Sequence, residues 1–163
     1  MIRIAFIIAL SFLANGLFSQ DIPAKLNNTK TDKHINITGT DVWIIPPTKF
    51  ILSPGTTSLK KDDLNSIQVM LGENFDKATA EMTIARFEKE NTVVNEYKYF
   101  KLNGYNVKFF WLQDEAFHKN FILCWGNSES SILIMAKYDA KDKKAEKEVR
   151  KAILGVVTEK VAK

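Results

Sequence analysis

The chain has 163 residues, 45% of them hydrophobic and 26% charged, with a formal net charge of +4. This is the length of one globular domain, and the composition excludes a disordered tail, a collagen-like repeat and a low-complexity protein. One cysteine and two histidines exclude an internal disulfide framework and a zinc site built on several cysteines, and the basicity is too mild for a nucleic-acid footprint.

The first twenty residues read as a secretory signal peptide. Arg3 supplies a positive start, Ile4 to Ala14 is almost wholly apolar, and Asn15, Gly16, Ser19 and Gln20 supply small and polar residues after it. The apolar stretch is about half of the ~20 residues that a membrane span needs. A permanent anchor is therefore the weaker reading, and cleavage is expected near Ser19 and Gln20. The segment resembles those of exported proteins in Bacteroidetes-type bacteria. Residues 21–33 are polar, with Lys25, Asn27, Asn28, Lys30, Asp32 and Lys33, and read as a flexible leader. A single domain is expected over 34–163.

Ile35, Ile37 and Val42 to Ile45 predict one or two short strands broken near Gly39, and Pro46-Pro47 ends the pairing because neither proline has an N–H. Phe50 to Leu52 precedes a turn at Ser53-Pro54-Gly55, and Ser66 to Leu71 reads as a strand. Asn74 to Glu90 predicts a helix capped by Asn74, with Phe75, Ala78, Met82 and Ala85 on one face. The runs 93–102 and 105–112 flank Asn103-Gly104, which predicts a hairpin with a type I′ turn. That turn sets Leu102 against Tyr105, Phe100 against Val107 and Lys98 against Phe109. One face then carries Phe100, Val107, Phe109 and Trp111, and the other carries Tyr97, Tyr99, Phe110 and Leu112. Both faces are apolar, so both are expected to meet something. Strands at 121–125 and 132–138 follow. The stretch 139–162 predicts an amphipathic helix with an apolar stripe through Ala145, Val149, Ala152, Ile153, Val156, Val157 and Val161. The order strands, helix, four strands, helix predicts an α+β fold, an antiparallel sheet flanked by helices.

The residues that could carry chemistry are few. Glu115 and His118 have metal-like i, i+3 spacing beside Asp114, but a metal needs three or four converging ligands, so a loop between strands is the default. Cys124 alternates with Phe121, Leu123 and Trp125 and reads as a buried small hydrophobe. No G-x-S-x-G, Walker A or G-x-G-x-x-G motif is present. The lysines of 141–151 alternate with acids, as on an exposed helix face. Weak contact with an anionic membrane surface is conceivable, and nucleic-acid binding is not expected. The hairpin aromatics are the feature with functional content: Tyr97, Tyr99, Phe110 and Trp111 are the candidate partner-binding residues, because aromatics give large contact area at low entropy cost.

The order of elements, with Trp43-Ile44-Ile45-Pro46-Pro47, Phe50, the Ser66–Leu71 strand, the Asn103-Gly104 hairpin and the closing helix, resembles the PsbP-like (DcrB-like) superfamily over nearly all of 34–162. That resemblance implies an α/β/α sandwich and non-catalytic association with a larger partner, without a cofactor. No binding motif of that superfamily is present, so no residue role is carried over. The expectation is an exported binding or assembly protein of the bacterial envelope. A small hydrolase with an unfamiliar site and a lipid- or ligand-carrying module are the alternatives.

Overall fold

The computed structural model describes residues 22–72, 82, 85, 86, 89, 93–114, 118–127 and 130–158, and only the main chain at 93–97, 114, 118–127, 130 and 131. The signal-peptide reading of residues 1–20 lies outside them.

In chain order the elements are β1 (Lys25–Leu26), β2 (Ile35–Asn36), β3 (Val42–Ile44), β4 (Ile51–Leu52), β5 (Ser58–Lys60), β6 (Ser66–Gly72), β7 (Val93–Leu102), β8 (Tyr105–Asp114), β9 (His118–Asn127), β10 (Ser130–Asp139), α1 (Lys143–Leu154) and β11 (Val157–Thr158). Eight strands form one sheet in the order β1-β7-β8-β9-β10-β6-β5-β4, and three form a second in the order β11-β3-β2. All pairings are antiparallel except β1 with β7.

The long strands follow from their turns. Asn103 (φ 49°) and Gly104 (φ 86°) both take positive φ, as a two-residue type I′ turn requires. Leu102 then faces Tyr105, Phe100 faces Val107 and Lys98 faces Phe109, with a bulge between Val94 and Glu96. β9 and β10 continue the meander, and β6 adds antiparallel to the far side of β10. Gly39 marks the break between β2 and β3, again with positive φ.

One face of the large sheet holds the main core. Phe100, Val107, Phe109, Ile134, Ala136 and Tyr138 pack in one cluster with Val42 and Ile44 of the small sheet and Val149 and Ile153 of α1. The opposite face is also buried at its centre, where Phe110 and Leu112 are fully enclosed outside that cluster. The expectation that both faces meet something is therefore met at these positions.

The helix-flanked α/β/α sandwich is corrected. Eleven strands and one bounded helix are found among the described residues, so the fold is mostly β. The closing segment explains the difference. Helix α1 starts at Asp142, whose side chain accepts the Ala145 N–H, and it ends at Gly155. The Gly155 N–H donates to Lys151 and Ala152 carbonyls, and a Cβ there would lie 2.9 Å from the Lys151 oxygen. The chain then turns into β11, which pairs with β3. Val156 and Val157, read from the sequence as part of a helical stripe, are core residues by way of this strand. In the predicted helix 74–90, Met82, Ala85, Arg86 and Lys89 are helical, and the rest lies outside the described residues. Met82 and Ala85 are exposed, whereas Phe75 and Ala78 of the same predicted face lie outside the described residues.

The stretch read as a flexible leader joins the fold. Lys25 and Leu26 pair in parallel with Lys101 and Leu102. Asn28 donates through Nδ2 to the carbonyls of Leu154 (2.8 Å) and Val156 (3.0 Å), and its N–H donates to Asn103 Oδ1 (2.7 Å). His34 Nδ1 accepts the Thr31 N–H (3.1 Å), which leaves its hydrogen on Nε2, facing the Gly155 carbonyl at 3.3 Å. Carbonyls at the helix end that lack an intrahelical partner are thereby satisfied. Among the described residues no helix is long and apolar enough to cross a membrane.

Candidate partner-binding surface

Strand alternation distributes the four candidate aromatics. Trp111 points to the main core face and packs, partly buried, against the cluster. Phe110 points the other way and is fully buried. Tyr97 has its main chain opposite Phe110, and its side chain lies outside the described residues. Tyr99 stands 53% exposed. The structure thus does not gather the four into one patch: within the described side chains, Tyr99 is the one at the surface.

Three lysines that the sequence reading left out surround Tyr99. Lys108 lies opposite Tyr99 in register, and its ammonium sits 5.2 Å from the ring centroid, in cation–π range. Lys108 is itself buried beneath the surface. Lys101, two residues along β7, shares the face of Tyr99 and is exposed, and Lys25 lies directly opposite Lys101 across the parallel β1–β7 pair. The face is fixed by the neighbours: Leu26 and Leu102, one residue on, turn toward the core, so Lys25 and Lys101 turn away from it. The tyrosine–lysine alternation of Tyr97-Lys98-Tyr99-Phe100-Lys101 was visible in the sequence. The pairing that brings Lys25 to Lys101 was not, because a two-residue parallel strand has no periodicity to detect.

A second cluster lies under α1. Tyr138 of β10 is fully buried, near Trp111 of β8 and Glu146 and Arg150 of α1. Burial, and after it the Glu146 carboxylate, push the Tyr138 hydroxyl far above its ordinary range, while Trp111 and Arg150 act in the opposite sense. A hydroxyl held that strongly protonated does not exchange protons near neutral pH. Arg150 also stacks over Phe109 at 5.1 Å. This arrangement docks the helix on the sheet.

At the helix start, Lys61 Nζ lies 3.0 Å from Asp142 Oδ2. The Ala145 N–H, and then Lys61, hold the Asp142 carboxyl below the usual range, and Asp142 in turn raises the Lys61 ammonium. The Asp62 carboxyl is lowered mainly by the Asn65 side chain, which donates to both its oxygens. Glu115 lies outside the described residues. Asp114 and His118 end and begin neighbouring strands and pair in register. Cys124 pairs in register with Lys108 and Leu133. Among the described residues, no group of three or more His, Cys, Asp or Glu is gathered for a metal ion.

No protein-family model matches the chain. No characterised protein is detectably similar to it in sequence. Solved structures are similar in shape. The cyanobacterial PsbP (CyanoP) of Synechocystis sp. PCC 6803 superposes with a TM-score of 0.55 at 10% identity, over 77% of this chain and 91% of that one. The fold is PsbP-like. A crystal structure from Bacteroides thetaiotaomicron VPI-5482 superposes with a TM-score of 0.47 at 13% identity, over 80% of this chain and 50% of that one. At 10% identity, what this chain shares with CyanoP is the architecture and not a function.

Proposed function

We propose that this chain is an exported, non-catalytic binding or assembly protein of a bacterial cell envelope, docking on a larger protein partner through the β7–β8 hairpin. The observation that carries the reading is Tyr99: a large aromatic, 53% exposed, on a sheet whose neighbouring aromatics Phe109 and Phe110 are fully buried. An exposed aromatic rimmed by lysines has the composition of a contact residue, since tyrosine offers broad contact area with few rotatable bonds. The signal-peptide character of residues 1–20 supports export, and the PsbP-like fold agrees with the superfamily's habit of partner association. The buried Tyr138 and Glu146 pair supports a structural role for the polar groups beneath α1.

The test is site-specific photo-crosslinking in the native host. A photoreactive side chain at position 99 or 101 is expected to capture one envelope protein, identified by mass spectrometry. The same group at Ile51, more exposed than Tyr99 but at the far edge of the sheet, is expected not to. Capture at neither hairpin position, or recovery of the protein with its first twenty residues intact in the cytoplasmic fraction, ends this reading.

A further inference from the structure

The corner formed by β1 and β7 carries a charge conflict. Lys25 and Lys101 are directly opposite each other in a parallel pair, on the same face and both exposed. Neighbouring strands are about 4.8 Å apart. Like charges held directly opposite cost stability, even allowing for solvent screening. The other register neighbours of Lys101 on this face do not relieve it: Tyr99 lies two residues along and Asn106 lies across from it. Behind the Tyr99 ring is a third ammonium, that of Lys108.

The spacing says what would relieve the conflict. Residues two apart on a strand lie about 6.6–6.8 Å from each other on one face. Tyr99 and Lys101 therefore present an apolar ring and a cation at the repeat of an extended chain. A carboxylate placed between Lys25 and Lys101 would meet two positive groups. A side chain two residues along the same extended segment would rest on the Tyr99 ring. A bare phosphate or a lipid headgroup would use the lysines but leave the ring without a role.

Building on the docking reading above, we propose that this corner binds an extended acidic segment of the partner protein, with an acid and an apolar residue two positions apart. The acid sits over Lys25 and Lys101, and the apolar side chain packs on Tyr99. The charges set the choice of partner and the speed of encounter, and the ring sets the register.

The probe is a fluorescein-labelled peptide carrying Glu-Thr-Val-Thr-Glu, so that glutamates and valine share one face when extended. Fluorescence anisotropy with the purified full chain at low salt is expected to show at least tenfold tighter binding than for the same peptide with lysine in place of glutamate. Lys101→Glu, which leaves Lys25 facing a carboxylate, is expected to abolish that preference, and Tyr99→Ala to weaken binding at least fivefold. A scrambled peptide, with the two glutamates adjacent, is expected to bind at least fivefold more weakly. Circular dichroism of each variant shows that it is folded. Equal binding of the scrambled and alternating peptides, or an undiminished preference for the acidic peptide in Lys101→Glu, overturns the proposal. So does binding of phosphatidylglycerol vesicles that Lys101→Glu abolishes, together with no peptide preference, because the corner would then be a lipid contact. If the peptide fails while crosslinking from position 99 still captures an envelope protein, the docking reading stands and the acidic segment is wrong.

Discussion

The two faces of the large sheet differ in what their side chains are committed to. On the α1 side, Phe109, Ile134 and Tyr138 are fully buried and belong to one cluster with the small sheet and the helix. On the opposite side, burial is complete at Phe110 and Leu112 but gives way, toward β1, to exposed Tyr99, Lys101 and Lys25. Alternation along the same two strands produces both outcomes, so stability and recognition are separated by a single residue step. A change at Phe100 or Leu102 of β7 acts on the fold, and a change at Tyr99 or Lys101 acts on the surface.

Substitutions test that separation. Phe109→Ala empties a fully buried site and removes the ring beneath Arg150, so chemical denaturation should show a loss of about 3–5 kcal/mol. Asn28→Ala leaves the Leu154 and Val156 carbonyls without their side-chain donor and should cost about 1–3 kcal/mol, with the earliest hydrogen exchange at the end of α1. Such a result would place the front segment with the core side of the comparison. Asp142→Asn keeps a good cap but loses the half-exposed pair with Lys61, so its cost at neutral pH should stay below about 1 kcal/mol. Its signature is in pH. The folded-state carboxyl titrates below its unfolded value of about 3.9, so its contribution is fully present above that value and is lost as the pH falls from there through the lower folded-state value. Thermal melts from pH 6 to pH 2 should therefore fall less steeply for Asp142→Asn than for the unchanged protein. Tyr99→Ala should cost about 1 kcal/mol, the size of its cation–π contact with Lys108 and far less than Phe109→Ala, while reducing capture of the partner. A large loss of stability there would erase the distinction between the two faces.

Much of this plan was legible in the residues. Asn103-Gly104 fixes a turn type, the turn fixes the register, and the register separates Phe109 from Phe110. The Gly39 break and the strand at 66–72 carry equally local signals. The closing segment misleads because Val156 and Val157 suit either a helical stripe or a strand. What decides it is Gly155 and the edge of β3 waiting for a partner, and the second of these is a tertiary fact. The front segment misleads for the same reason. Its polarity describes a chain unable to bury itself, but Asn28 and His34 use that polarity to satisfy the end of α1, which sequence distance conceals. Of the candidate surface, Tyr99 was named from the hairpin alone, whereas Lys25 depends on a pairing that only three dimensions supply.

The anchors of Asn28 lie 75, 126 and 128 positions downstream. A chain made from its front must keep this segment uncommitted until the hairpin, the helix and the final strand exist. Contacts so distant in sequence close slowly. Residues 25–28, made before all of their anchors, are thus among the last to settle, and whatever delays their settling also postpones the moment at which Lys25 arrives beside Lys101. Completion of the molecule and readiness of its proposed docking corner are, on this plan, the same event.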